Sequence, residues 1–364
     1  MRILNVVGAR PNFIKVAPLH RMFLNFPDID SKIVHTGQHY DAFMSDVFFR
    51  QLEMPAPDHF LGIGGGSATE QTARIMLAFE PVLNAEKPDL VLVVGDVNST
   101  LACALTSVRH EIPVLHVEAG LRSGDRTMPE EINRIMTDHI SEDLFVTEQS
   151  GIDNLLRENI PQDRMHFVGN VMIDSLVYYR EKASDMSLIK DLGLFSGHFI
   201  LVTMHRPSNV DSREGLEKMI EVIRRIALKT KVVFPLHPRT LEKLSGYGLL
   251  TYLTNIKNLI LLEPQGYLEF LHLTIHSAMV ITDSGGVQEE TTFLGIPCIT
   301  LRPNTERPAT VEIGTNYLIE NGDLNVICDV ADRILNGARK GEVPHFWDGC
   351  TAGRIAKIIL EKYS

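Results

Sequence analysis

Largely apolar runs of three to five residues recur along this chain, and each opens into a short polar loop followed by a segment of helical length. In the first half they occupy residues 3–7, 32–36, 90–94, 114–117, 144–147 and 166–168, and in the second half 199–203, 232–235, 259–262, 279–281 and 299–301. Runs apolar on both sides bury both faces, and strands separated by helices pair in parallel, so the alternation predicts α/β architecture with helices covering parallel sheets. In such sheets ligands gather at the carboxyl ends of the strands, which directs attention to the residue that follows each run. At 364 residues the chain is long enough for two cores. The polar stretch 181–197 resets the pattern and sets the expected boundary. The expected division is a first Rossmann-like domain at 1–180, a second at 181–350, and a closing helix at 351–364 that packs back on the first.

Composition narrows the chemistry. A net charge of −11 argues against a nucleic-acid surface, yet leaves anionic small substrates open because local basic residues set the potential of a site. Cys103, Cys298, Cys328 and Cys350 are scattered without CxxC spacing, which argues against a zinc centre or a disulfide framework and fits a reducing cytoplasm. The N-terminal run is too short for a signal peptide, and no run approaches the ~20 apolar residues of a membrane span. Neither metal nor cofactor is expected.

The run at 279–281 leads into Thr282-Asp283-Ser284-Gly285-Gly286 and then a helix with Glu289 and Glu290 in its first turns. Adjacent glycines permit close backbone approach, and the free N–H groups of a helix start favour a diphosphate. Glu290 is placed to take the two hydroxyls of a ribose. In the first half, Arg10 follows the first strand with Lys15 a turn further on, a pair suited to a diphosphate or to plain solvation. Asp96, Glu118 and Glu130 lie at or near strand ends and form a candidate acid/base set, since neighbouring carboxylates and cations push pKa values apart. Other roles stay open: Asp96 as a helix cap, Glu118 with Arg122 as an ion pair, and one of Glu130 and Glu131 as a first-turn helix acid. His205 follows a strand of the second half and joins the catalytic candidates, while Arg122 of the first half and His237, Gln265 and Arg307 of the second join the substrate-binding candidates.

With these residues in view, the sequence resembles the non-hydrolysing UDP-N-acetylglucosamine 2-epimerases. The likeness rests on Gly8-Ala9-Arg10-Pro11, Gly95-Asp96, His116 to Arg122, Pro129-Glu130-Glu131, Thr203 to Arg206, Thr282 to Glu290 and Thr305 to Pro308, and runs over essentially the whole chain. The resemblance implies two Rossmann-like domains facing a central cleft in the GT-B arrangement. It implies UDP held by Ser284, Gly285, Gly286 and Glu290, with uracil near the backbone of Phe270. Arg10 and His205 would contact phosphate, Lys15 would lie near the sugar, and Asp96, Glu118 and Glu130 would act as acids and bases. The implied reaction interconverts UDP-GlcNAc and UDP-ManNAc through 2-acetamidoglucal, serving surface polysaccharide precursors, in a cytoplasmic homodimer. Relatives acting on a UDP-2,3-diacetamido-glucuronate share residues 36–41, hydrolysing relatives release ManNAc, and a non-catalytic UDP-sugar sensor is the reading from another class. Pro207 and Asp41 depart from residues that bind a second, activating UDP-N-acetylglucosamine in many bacterial members.

Overall fold

The computed structural model describes residues 1–38, 51–338 and 341–364, with Arg10 described by its backbone alone. The chain divides into two compact units, Met1–Tyr178 with His345–Ser364, and Tyr179–Pro344. In the first unit the strands are β1 (Arg2–Val7), β2 (Asp30–His35), β3 (His59–Phe60), β4 (Leu90–Val94), β5 (Val114–Ala119), β6 (Asp143–Val146) and β7 (Met165–Phe167), ordered β3-β2-β1-β4-β5-β6-β7. All pair in parallel. The second unit has β8 (Phe199–Thr203), β9 (Lys231–Pro235), β10 (Leu259–Leu262), β11 (Met279–Thr282), β12 (Cys298–Thr300) and β13 (Asn316–Leu318), ordered β10-β9-β8-β11-β12-β13 and again parallel.

Strands β3 and β13, absent from the sequence expectations, sit at sheet edges, where two or three residues suffice and an unbroken apolar run is not required. The central strands follow the sequence closely because burial on both faces demands it: all five residues of β4 are buried. Against this sheet, Ile75, Phe79 and Val82 of the Ala68–Glu86 helix and Ala102 and Cys103 of the Asn98–Arg109 helix complete one core. The second unit buries Met219, Ile223 and Ile226 of the Arg213–Ala227 helix in the same manner.

Both strand orders reverse direction once, between β1 and β4 and between β8 and β11. At such a switch point the two connecting segments leave to opposite sides and open a crevice. One polar side chain laces each crevice. In the first unit the Asn12 carboxamide oxygen accepts from the Gly8 and Ala9 N–H groups at 3.1 and 2.9 Å, while its nitrogen donates to the Val94 carbonyl at 3.1 Å. In the second, buried Asp283 accepts from the His205 N–H at 3.0 Å, the Arg206 N–H at 2.9 Å and the Asn209 amide at 3.0 Å.

The closing helix, Thr351–Tyr363, belongs to the first unit, where it packs on the Arg10–Phe23 helix and buries Ile355, Ala356 and Ile359. Its N-terminus is satisfied from outside: the Asp174 carboxylate accepts from the Thr351 and Ala352 N–H groups at 3.1 and 2.7 Å. Its far end is tied by Asp143, which accepts from Lys362 and Tyr363, each at 2.5 Å. Among the described residues no helix is long and apolar enough to cross a membrane. Asp174→Ala is expected to lower stability by about 1–2 kcal/mol, as for the loss of a helix cap. A reduced urea midpoint with an unchanged slope checks this, and an unmoved midpoint refutes it.

Candidate active site

At the first switch point, β4 runs into Gly95 and Asp96. Asp96 does not cap the following helix, whose N-cap is Val97; its carboxylate is ion-paired with Arg134, and its backbone carbonyl accepts from the Asn133 amide at 2.9 Å. Both partners come from the Pro129–Ile140 helix. Arg134 is buried and also bridges to Glu131 at 3.1 Å, so Asp96 faces a fixed cation while about a quarter of its own side chain (23%) stays exposed.

Glu118 sits at a bulge: Val117 opposes Phe145 and Ala119 opposes Val146, leaving Glu118 as the extra residue with φ of 71°. A non-glycine residue in the left-handed region stores roughly 1–3 kcal/mol, which the surrounding pairing holds in place, and a bulge re-aims the side chain. Glu118 is thereby ion-paired with Lys15, both nearly buried. The alternative Glu118–Arg122 pair does not form. Arg122 instead contacts Asp138 at 2.7 Å and holds Glu158 in a two-pronged grip at 2.8 and 2.7 Å, which makes it a brace between loop and helices.

Of the two glutamates opening the Pro129–Ile140 helix, Glu131 is buried and braces the preceding loop, accepting from the Ser123 and Gly124 N–H groups at 2.8 and 2.9 Å. Glu130 lines a cavity of about 360 Å³ together with Asp96 and the side-chain amides of Gln38, Gln71, Asn98 and Asn133. The amides are chained: Asn98 donates to Gln71 at 2.9 Å, and Asn133 donates to Asn98 at 3.2 Å. Arg10 opens the Arg10–Phe23 helix, but its side chain, like the whole of Asp41, lies outside the described residues.

In the second unit, Ser284 is the N-cap of the Gly285–Leu294 helix. A Cβ on Gly285 would come within 2.7 Å of the Arg307 guanidinium, so the glycine makes room for that cation beside the helix start. Arg307 bridges Glu289 at 3.0 Å and Glu306 at 3.3 Å, and Arg302 holds Glu306 through two bonds of 2.8 Å. Burial, then the neighbouring Arg302 and Arg307, pull the Arg206 pKa below its ordinary value. A concentration of guanidinium groups at a helix N-terminus is chemistry suited to phosphate. His205 and His237 stack at 5.0 Å, and the His205 ring lies 3.3 Å from Asp283. His237 also caps the Pro238–Gly246 helix, its ring nitrogen accepting from the Arg239 N–H at 3.2 Å.

Phe270 lies within the Tyr267–His276 helix, its N–H donating to the Gly266 carbonyl at 3.0 Å. The Phe270 N–H is therefore engaged by its own helix, and Gln265 occupies the loop before it, donating to the Glu263 carbonyl at 2.7 Å. Glu290 is buried; that burial, with Glu289 alongside, raises its pKa to about 8 against the opposing hydrogen bond from Tyr267.

Fold and chemistry at the two switch points define an α/β enzyme of GT-B-like build, a fold shared at 12% identity and a TM-score of 0.57 by a lipopolysaccharide outer core galactosyltransferase. Comparison of sequences narrows the class. The family model for UDP-N-acetylglucosamine 2-epimerase matches residues 23–360, and the chain belongs to that family of isomerases. It is 42% identical to the UDP-N-acetylglucosamine 2-epimerase of Methanocaldococcus jannaschii, over 99% of each chain. It is 40% identical to the UDP-2,3-diacetamido-2,3-dideoxy-D-glucuronate 2-epimerase of Pseudomonas aeruginosa, over 99% of this chain and 100% of that one. The crystal structure of the M. jannaschii enzyme in complex with UDP-GlcNAc and UDP superposes with a TM-score of 0.91 at 41% identity, covering 99% of this chain and 100% of that one.

The raised pKa of Glu290 has a stability consequence. Its value in the folded protein, about 8, lies above the ordinary 4.5, so its stabilising contribution is complete below 4.5 and is lost as pH rises through 8. Glu290→Gln keeps the neutral shape and is expected to melt higher than the wild type by a margin that widens as pH rises from about 5 to about 9. Thermal unfolding without ligand checks this, and a margin constant with pH contradicts it.

Proposed function

We propose that the protein interconverts UDP-GlcNAc and UDP-ManNAc by eliminating and re-adding UDP. The observation that carries the reading is the pair of carboxylates at one switch point, Asp96 beside Arg134 and Glu118 beside Lys15, with Glu130 on the cavity that Asp96 lines. Cations fixed beside two of three carboxylates give the three different surroundings, and a reaction of this kind needs both a base and an acid. In the proposed reaction a carboxylate takes the C2 proton, the C1–O bond breaks with its electron pair leaving on the diphosphate, and a C1=C2 double bond forms. A proton then returns to the opposite face of C2, and a diphosphate oxygen re-adds at C1. The Ser284–Gly286 helix start and Arg307, with His205, serve the diphosphate, Glu290 serves the ribose, and the loop at Gln265 serves the base. The second unit is thus assigned to UDP and the first to proton transfer.

The P. aeruginosa relative, which acts on a glucuronate, sets the second reading. The cavity favours the first: among the described residues lining it are four amides and two carboxylates and no lysine or arginine. Amides match a neutral acetamido sugar. Work in the cytoplasm as a homodimer, implied by the resemblance, completes the proposal, and sedimentation checks the dimer.

Proton NMR in D2O with UDP-GlcNAc is expected to show deuterium entering C2 and the UDP-ManNAc anomeric signal appearing. Free ManNAc would move the protein to the hydrolysing branch, and turnover of the diacetamido-glucuronate alone would establish the second reading. Asp96→Asn is expected to abolish turnover with the UDP dissociation constant within about threefold of wild type, whereas Glu290→Ala is expected to weaken UDP by about tenfold or more. Calorimetric titration with UDP separates the two roles, and UDP affinity lost in the first variant or kept in the second overturns the assignment.

A further inference from the structure

On β5, two residues before Glu118, stands His116, a fully buried histidine that the proposed reaction does not use. Its Nε2 lies 2.8 Å from the Gly95 carbonyl oxygen and its Nδ1 lies 2.7 Å from Oδ1 of Asp138. Both neighbours are acceptors. A neutral ring has one N–H and would turn a lone pair on either the carbonyl or the carboxylate, an unpaired contact that is costly in a buried site.

We propose that His116 is a positioning residue, an imidazolium that donates from both nitrogens and so fastens the turn carrying Asp96 to the helix that orders the turn after Glu118. The Asp138 carboxylate that accepts from His116 also accepts, through Oδ2, from the Gly120 N–H at 3.1 Å and contacts Arg122 at 2.7 Å. Gly120 follows the Glu118 bulge by two residues, and Gly95 precedes Asp96 by one. One ring therefore connects both carboxylate-bearing turns through bonds of ordinary length.

The neighbouring charges favour the same state. The ionisable groups linked to this ring are Asp138 and, beyond it, Arg122, Glu158 and His139, with side chains 0%, 9%, 25% and 46% exposed, and the Lys15–Glu118 pair flanks Gly95. An imidazolium gives the fully buried Asp138 carboxylate a second cationic neighbour beside Arg122. Although burial alone would raise the Asp138 pKa, His116 and Arg122 outweigh it and hold it below the ordinary value, which keeps the carboxyl an acceptor.

That Asp96 and Glu118 act on substrate rests on the function proposed above; the protonation of His116 does not. The test begins with the wild-type protein carrying 15N-histidine, with His116→Gln identifying the signals of His116. Two protonated ring nitrogens on His116 at neutral pH are expected, and one unprotonated nitrogen there overturns the proposal. The variant is also expected to lose about a hundredfold in kcat, with the dissociation constant of UDP within about threefold of wild type. Wild-type kcat in a folded variant overturns the positioning role. Should the variant not fold, 15N-selective spectra assigned by through-bond correlation on the wild type decide the protonation alone. Should the wild type lack epimerase activity, the functional reading fails while the spectrum still decides the imidazolium.

Discussion

A carboxylate withdrawn from water must meet a cation or several donors, and this requirement organises the first unit around the Pro129–Ile140 helix. From one helix, Glu131 braces the loop at Ser123, Asn133 and Arg134 hold Asp96, and Asp138 takes the Gly120 N–H and the His116 ring. Residues 131, 134 and 138 follow the three- and four-residue steps that put side chains on one helical face. Both strand-end turns are thus fastened to a single rigid element, which fixes the two carboxylates they carry relative to one helix.

The two units solve the same topological problem with opposite charge. Each switch-point crevice is laced by one side chain that gathers backbone N–H groups. Where Asp96, Glu118 and Glu130 gather, the lacing residue is neutral Asn12; where Arg206, Arg302 and Arg307 gather, it is Asp283. An aspartate in the first place would add a fourth carboxylate to three, and an asparagine in the second would leave the guanidinium groups less well balanced. The two crevices are therefore laced from different strands' ends, by an amide on the helix after β1 in the first unit and by a carboxylate directly after β11 in the second.

The sequence made the sheets readable because central parallel strands must be apolar on both faces, and β4 and β8 carry that signature without interruption. An edge strand need not carry it, and of the four edges β3, with His59, and β13, with Asn316, left no trace in the pattern, whereas β7 and β10 did. Within the candidate site, residues directly after strands stood out by position. Their partners did not, since Asn133, Arg134 and Asp138 lie inside a helix and His116 lies inside a strand, where a polar residue is easily read as solvated or incidental. One signal was available: Glu131, Arg134 and Asp138 place charge on a single helical face, and a helix packed on a sheet rarely buries such a face without a reason. The bulge at Glu118 had no such signal, because nothing in Val-Glu-Ala announces an extra residue.

The second unit is inserted into the first, since Tyr179–Pro344 interrupts a fold completed only by His345–Ser364. Asp174 meets its N–H partners 177 and 178 positions later, and Trp347 reaches the Thr147 carbonyl 200 residues back. During synthesis the UDP-assigned unit is therefore whole while the carboxylate-bearing unit still lacks its last helix. Until residues 345–364 are made, the second unit has all its strands while the first lies open along the Arg10–Phe23 helix, a window in which chaperone capture would fall on one half alone.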